Sequence, residues 1–194
     1  MTRLKHEVTA LLQRIADGDR DAGDELLPMV YAELRRLAQG HFHAPAGAAQ
    51  TLQPTALVHE VYVKLLGAAP REFENHEHFL AVAASAMRTI LVDHARARRA
   101  AKRGGDADRV PLDAVLVPFE SSALDVLALD EALVRLGRVS AQAARVVELR
   151  FFGGLEQTDV ARVLGVSVSA IERDWRTARA WLRRELGAGA EDRA

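Results

Sequence analysis

Three arginines at helical spacing, Arg173, Arg176 and Arg179, fall mainly on one outward face of the stretch 167–182, with Ser169, Glu172 and Thr177 beside them. A guanidinium donates in pairs to guanine edges and to phosphate oxygens, and small hydroxyls and carboxylates serve other base edges. These side chains suit a helix laid in the major groove of DNA. The segment around them supports that reading. Ala161, Gly165 and Ile171 stand at offsets of four and ten. A helix-turn-helix needs a small residue where its second helix crosses the first, a glycine for the left-handed turn, and an aliphatic residue to close the small core. Val160, Leu164, Val166 and Val168 fill apolar positions between them, and Ser167 stands where the second helix needs its N-cap. Ile171, Trp175, Ala178 and Leu182 are spaced for burial. A plain helical hairpin with a solvated basic face gives no reason for the small residue, the glycine and the cap to coincide. The start of the first helix fits less well. Glu156 occupies the place of a Ser or Thr cap, and Thr158 is the alternative, which would shorten that helix.

Metal and catalytic chemistry find less support. Among seven histidines, His41 and His43 are two apart, as are His76 and His78, and His59 precedes Glu60. Zinc takes such ligands. Neither pair has the i, i+4 spacing of a helical ligand pair, and with no cysteine in the chain no set is completed. No metal and no cofactor is expected. Asp93, His94 and Ser85 would share one helix without a glycine-rich oxyanion loop, and there is no P-loop or Gly-x-Gly-x-x-Gly pattern. Neither catalysis nor a small-molecule substrate is expected. Absence of cysteine also excludes disulfides and fits a reducing cytoplasm.

The elements that must position these residues read as helices throughout. Hydrophobic residues make up 49 % of the 194 and aromatics 5 %, a mix of Ala, Leu and Val that favours an all-α fold. The first helix runs from Thr2, its cap, to about Ala16, with Leu4, Val8, Leu11, Leu12 and Ile15 at helical spacing. After the turn Asp17-Gly18-Asp19, a second runs from Asp21 to Ala38. His41–Gln50 is loop-like. A third spans Pro54–Leu66, with Leu57, Val61 and Leu65 as its buried stripe and His59, Glu60 and Lys64 elsewhere. The second loop, Ala68–Asn75, ends at Asn75, which caps a long helix from His76 to about Lys102. A further set follows at Ser122–Leu136, Ser140–Phe152, Gln157–Leu164 and Ser167–Leu186, before a frayed tail.

The formal net charge of −1 hides two opposite surfaces. Arg88, Arg96, Arg98, Arg99, Lys102 and Arg103 against Asp93 leave +5 on the long helix. Seven carboxylates against Arg109 leave −6 between Asp106 and Glu131. With Pro111 and Pro118 and no helical period, residues 105–121 read as an acidic linker between a domain at 1–104 and a second at 122–187, with a tail at 188–194. No stretch approaches the roughly 20 apolar residues of a membrane span. Packing of the two domains in the free protein, basic helix against acidic connector, is a further expectation of this charge split.

Two blocks carry a family resemblance. Ser140–Gly154, the helix-turn-helix and Arg173-Asp174-Trp175 resemble region four of extracytoplasmic-function (group IV) sigma factors, and Thr55–Leu65, His78–Ala84 and Met87–Arg96 resemble their region two. The resemblance implies a cytoplasmic factor that binds core RNA polymerase and promoter DNA. It implies docking of Thr55, Leu57, Val58, Glu60, Val61, Lys64 and Leu65 on the β′ clamp helices. It implies that the long helix and its preceding loop read and open the −10 element through Phe73, Asn75, His78, Arg88, Arg96, Arg98, Arg99, Lys102 and Arg103. Phe73 and the stretch Asn75–His78 are the candidate holders of an unstacked base. The second domain would rest on the β flap and read the −35 element through Thr158, Ser167, Ser169, Glu172, Arg173, Arg176, Thr177 and Arg179. The linker would thread toward the polymerase cleft. An anti-sigma partner is compatible with the family and is not identified by the sequence. Two other readings stay open: a two-domain helix-turn-helix regulator with a sensing or dimerising N-terminal half, and a helical adaptor that binds protein alone.

Overall fold

The computed structural model describes residues 2–19, 21–40, 54–66, 73–101 and 126–191, which form eight helices and no strand. They are α1 (Thr2–Ala16), α2 (Asp21–Gly40), α3 (Pro54–Leu66), α4 (His76–Ala101), α5 (Val126–Val139), α6 (Ala141–Phe151), α7 (Gln157–Leu164) and α8 (Val168–Glu191). The expected loop His41–Gln50, the expected loop Ala68–Asn75 as far as residue 72, the expected acidic linker, Lys102 and Arg103 lie outside the described residues.

Local chemistry explains the boundaries. Gly18 takes a φ of 91° in the first turn, and the Asp19 carboxylate accepts the backbone N–H groups of Asp21 and Ala22 to open α2. Asn75 Oδ1 accepts the His78 N–H at 2.8 Å and starts α4. Ser140 and Ser167 cap α6 and α8 by accepting from Ala143 and Ala170, each at 3.2 Å. Glu156 does stand at the N-cap of α7, but its side chain makes no capping bond. Its carbonyl accepts from Asp159 and Val160 instead, so α7 is not shortened and Thr158 sits in the first turn rather than at the cap. The other difference is at the C-terminus. α8 runs to Glu191, five residues past the expected end and into the tail.

Val8, Leu12, Leu26, Leu34, Leu57, Val61, Phe79 and Met87 in α1–α4 and Leu129, Leu133, Val146, Leu149, Ile171 and Leu182 in α5–α8 belong to one apolar cluster. The helix α4 connects the two sets, touching α1 and α3 on one side and α5, α6 and α7 on the other. The approach between sets is closest at a glycine pair after α6. A Cβ on Gly153 would lie 2.6 Å from the Leu149 carbonyl oxygen and 3.0 Å from the Ala84 Cβ. On Gly154, whose φ is 59°, it would lie 2.2 Å from Leu37 Cδ2. Gly153→Ala is expected to cost about 1–3 kcal/mol, because backbone has to move to admit the methyl group. An unchanged urea midpoint would contradict so tight an approach.

Candidate nucleic-acid interface

The face of α8 is set by which of its residues the core takes. Ile171, Ala178 and Leu182 are buried, with Trp175 and Trp181 half-buried against them. Helical geometry then turns Ser169, Glu172, Arg173, Arg176 and Thr177 outward, and all five are exposed, as is Ser167 at the cap. Arg173 and Arg176 engage no carboxylate among the described residues. Gly165, at φ 65°, supplies the left-handed turn that aims α8 across α7, whose buried Val160 and Ala161 form the small floor beneath it. Thr158 is exposed on α7.

Arg179 is placed differently from the other two arginines. It is half-buried, and its Nε is sealed from solvent without a hydrogen-bond partner. Beside it Arg150, in the last turn of α6, stacks its guanidinium 4.2 Å from the centre of the Trp175 ring. Burial, and then the neighbouring Arg179 charge, hold the Arg150 pKa below the usual arginine value. No salt bridge joins either cation to a carboxylate among the described residues. Arg150 was not legible as a site residue. Its one signal is a cation in the last turn of a helix, which a helix dipole explains equally well.

The first half presents two further surfaces. On α3, Thr55, Glu60 and Lys64 are exposed, together with His59 and with Val63, an apolar side chain 56 % exposed. Leu57, Val58, Val61 and Leu65, expected to touch polymerase, are buried in the core. They hold α3 in place and do not form its outer surface. The stripe Leu57, Val61 and Leu65 is buried as its spacing predicts, His59, Glu60 and Lys64 lie on the other side, and Val63 is the one outward residue that the spacing did not single out.

The second surface is the basic helix α4. Phe73, expected to hold an unstacked base, is buried, with its ring edge-on to Phe79 at 5.3 Å. It packs into the core at the start of α4 and offers no open stacking platform. His78 is half-buried, its Nδ1 accepting the Glu74 N–H. Asn75 is committed to its cap. Arg99 is exposed, the Arg98 side chain is not among those described, and Arg96 reaches Asp93 and Asp130. Arg88 does not point to solvent. It donates to Asp130 of α5 at 2.7 Å and to Glu148 of α6 at 3.0 Å.

Other candidate chemistry does not converge. Ser85 donates to Glu148, His94 pairs with Glu60, and Asp93 faces Arg96, so the three are not a triad. His76 bonds Glu33 at 2.8 Å. Among the described residues no three His, Asp or Glu side chains are grouped to hold a metal ion, and no helix is long and apolar enough to cross a membrane. The model of a protein family described as ECF sigma factor matches residues 5–188 of this chain. No curated protein matches it.

Proposed function

The chain belongs to the ECF sigma factor family, and from that premise we propose that it reads promoters at two places, the −35 element through α8 and the −10 element through α4. Factors of this family direct RNA polymerase to promoters and are not themselves catalysts. The match runs through both halves, which sets aside a regulator with an unrelated sensing half and a protein-only adaptor. The helices α1–α4 form the −10 and polymerase-binding domain, and α5–α8 the −35 domain. The factor works in the cytoplasm, where polymerase and promoter DNA are.

The observation that carries this reading is the outward face of α8, where Arg173, Arg176, Glu172 and Thr177 are exposed, with Ser169 exposed beside them and bonded to the cap Ser167 at 3.1 Å. These groups match guanine and cytosine edges in the major groove. Arg150 and Arg179 clamp a backbone phosphate beside them, fixing the register of the helix without reading sequence. On α4, Arg96 and Arg99 with Arg98, Lys102 and Arg103 track the phosphates of the −10 segment. Thr55, His59, Glu60, Val63 and Lys64 dock on the polymerase clamp, and the α5–α8 domain rests on the β flap. Reversal of charge in Lys64→Glu is expected to weaken binding to core polymerase roughly tenfold through lost electrostatic complementarity. Unaltered polymerase affinity would remove Lys64 from that surface.

Footprinting of polymerase loaded with this chain tests the two-site reading. Protection should appear at two separate promoter segments, with strand opening at the downstream one. Arg173→Ala should weaken the upstream protection alone. A single protected segment, or opening without an upstream contact, would contradict it.

A further inference from the structure

The contacts of Arg88 are those a nucleic-acid backbone would make. Its Nε and Nη2 donate to one oxygen of Asp130 at 2.9 and 2.7 Å, and its Nη1 donates to Glu148 at 3.0 Å. The three side chains are between 13 and 19 % exposed. Arg96, about two helical turns further on, reaches the other Asp130 oxygen at 3.5 Å. Glu148 is anchored in turn by the hydroxyl of Ser85 and by Arg145 at 2.7 Å. An open crevice lined by Arg96, Arg99, Leu127 and Asp130 carries the same seam out to solvent. Arg88 and Arg96 come from α4, the carboxylates from α5 and α6, and Arg145 from α6 itself.

We infer that Asp130 and Glu148 act as a phosphate mimic, holding Arg88 of α4 against the C-terminal half until DNA takes their place on Arg88 and Arg96. The inference rests on the reading of α4 as a DNA surface. With Nε, Nη1 and Nη2 all donating to carboxylates, Arg88 cannot set the same donors on a phosphate, so the closed seam and DNA contact at Arg88 exclude each other. A second cluster reinforces the closed arrangement. Lys5 of α1 lies between Glu77 of α4 and Asp159 of α7, at 3.3 and 2.9 Å, and Arg162 of α7 also pairs with Glu77. Burial lowers the Lys5 pKa, but the hydrogen bonds and charges of Asp159 and Glu77 outweigh it and the net shift is upward. The outward faces of α3 and α8 stay open meanwhile. Closure therefore withdraws Arg88 from solvent and leaves Arg99, most of Arg96 and the outward faces of α3 and α8 exposed.

Part-buried pairs of this kind depend on both partners. Removing the carboxylates strands Arg88 at the seam. The chain lacks cysteine, so Arg35→Cys and Arg138→Cys place one spin label on each half. In the full chain without polymerase, the labelled protein should give one short distance. Adding Asp130→Asn with Glu148→Gln should produce a second, longer population, and should tighten binding to random-sequence duplex DNA by about threefold or more as the competent fraction rises. That gain should vanish when Arg88→Ala is added. Unchanged distances, a longer distance without tighter DNA binding, or a gain that survives Arg88→Ala would each overturn the inference. If the double variant unfolds, Asp130→Asn alone carries the test with the same directions expected. Transcription by the unlabelled wild type with core polymerase is recorded alongside. Its presence with unresponsive variants overturns the inference alone, and its absence overturns the reading of function.

Discussion

In the Phe79→Ala protein the free energy of unfolding is expected to fall by about 3–5 kcal/mol, the range for removing a buried aromatic ring. Phe79 is fully buried in the first turn of α4 and packs edge-on to Phe73. It stands where α4 begins, so its loss loosens the helix that joins the two halves. Domains of this size have total stabilities of roughly 5–15 kcal/mol, and the variant should be partly unfolded at growth temperature. Phe79→Leu preserves most of the volume and should cost less than about 1.5 kcal/mol. Urea unfolding followed by circular dichroism reads both. A loss below about 1 kcal/mol in Phe79→Ala would mean that the ring is not a core residue.

The second large effect separates function from stability. Arg173 and Arg176 are exposed and without an ionic partner among the described residues, so replacing both with alanine should move stability by no more than about 0.5 kcal/mol. Each is expected to contribute about 1–3 kcal/mol to promoter recognition if it reads a base edge. Together they should weaken selective binding of the −35 element by about 2–6 kcal/mol, less any coupling between neighbours one turn apart. Binding to scrambled DNA should change far less, and only by the phosphate term. A competition assay between promoter and scrambled duplexes decides it. If both affinities fall equally, these arginines contact backbone and the specificity lies elsewhere on α8.

Helix positions were legible where the capping residue is of a type that favours a cap, by its side chain or, at Gly165, by its left-handed backbone. Asn75, Ser140, Ser167 and Gly165 each mark a boundary found at or within a residue of the expected place. The weak cap at Glu156 was legible as weak, but the inference that Thr158 replaces it was not correct, because backbone bonds alone start α7. The tail was misjudged because Gly187 and Gly189 disfavour helix locally, whereas α8 already has five turns of helix on which to propagate. The site was less legible than the fold. A family block names the helix that docks or reads and does not divide its core side from its contact side. Leu57, Val58, Val61, Leu65 and Phe73 therefore appeared as contacts and are buried. Charge counting gave the sign of α4 and an acidic stretch to meet it, but not the side chains that pair. The expected acidic connector lies outside the described residues up to 125, and the carboxylates that meet Arg88 are Asp130, near the end of that acidic stretch, and Glu148, well beyond it. Arg150 was missed because its meaning depends on Arg179 and Trp175, residues brought to it by the crossing of α6 and α8.

The central claim is that this chain alone gives polymerase a promoter. Purified core RNA polymerase, free of every other sigma factor, can be mixed with this chain and a pool of genomic fragments from its source, and the 5′ ends of the transcripts sequenced. The account predicts discrete start sites that share two upstream sequence elements at fixed spacing, and their disappearance when the chain is omitted. Transcripts with scattered starts, or starts that require a second sigma factor, would contradict it.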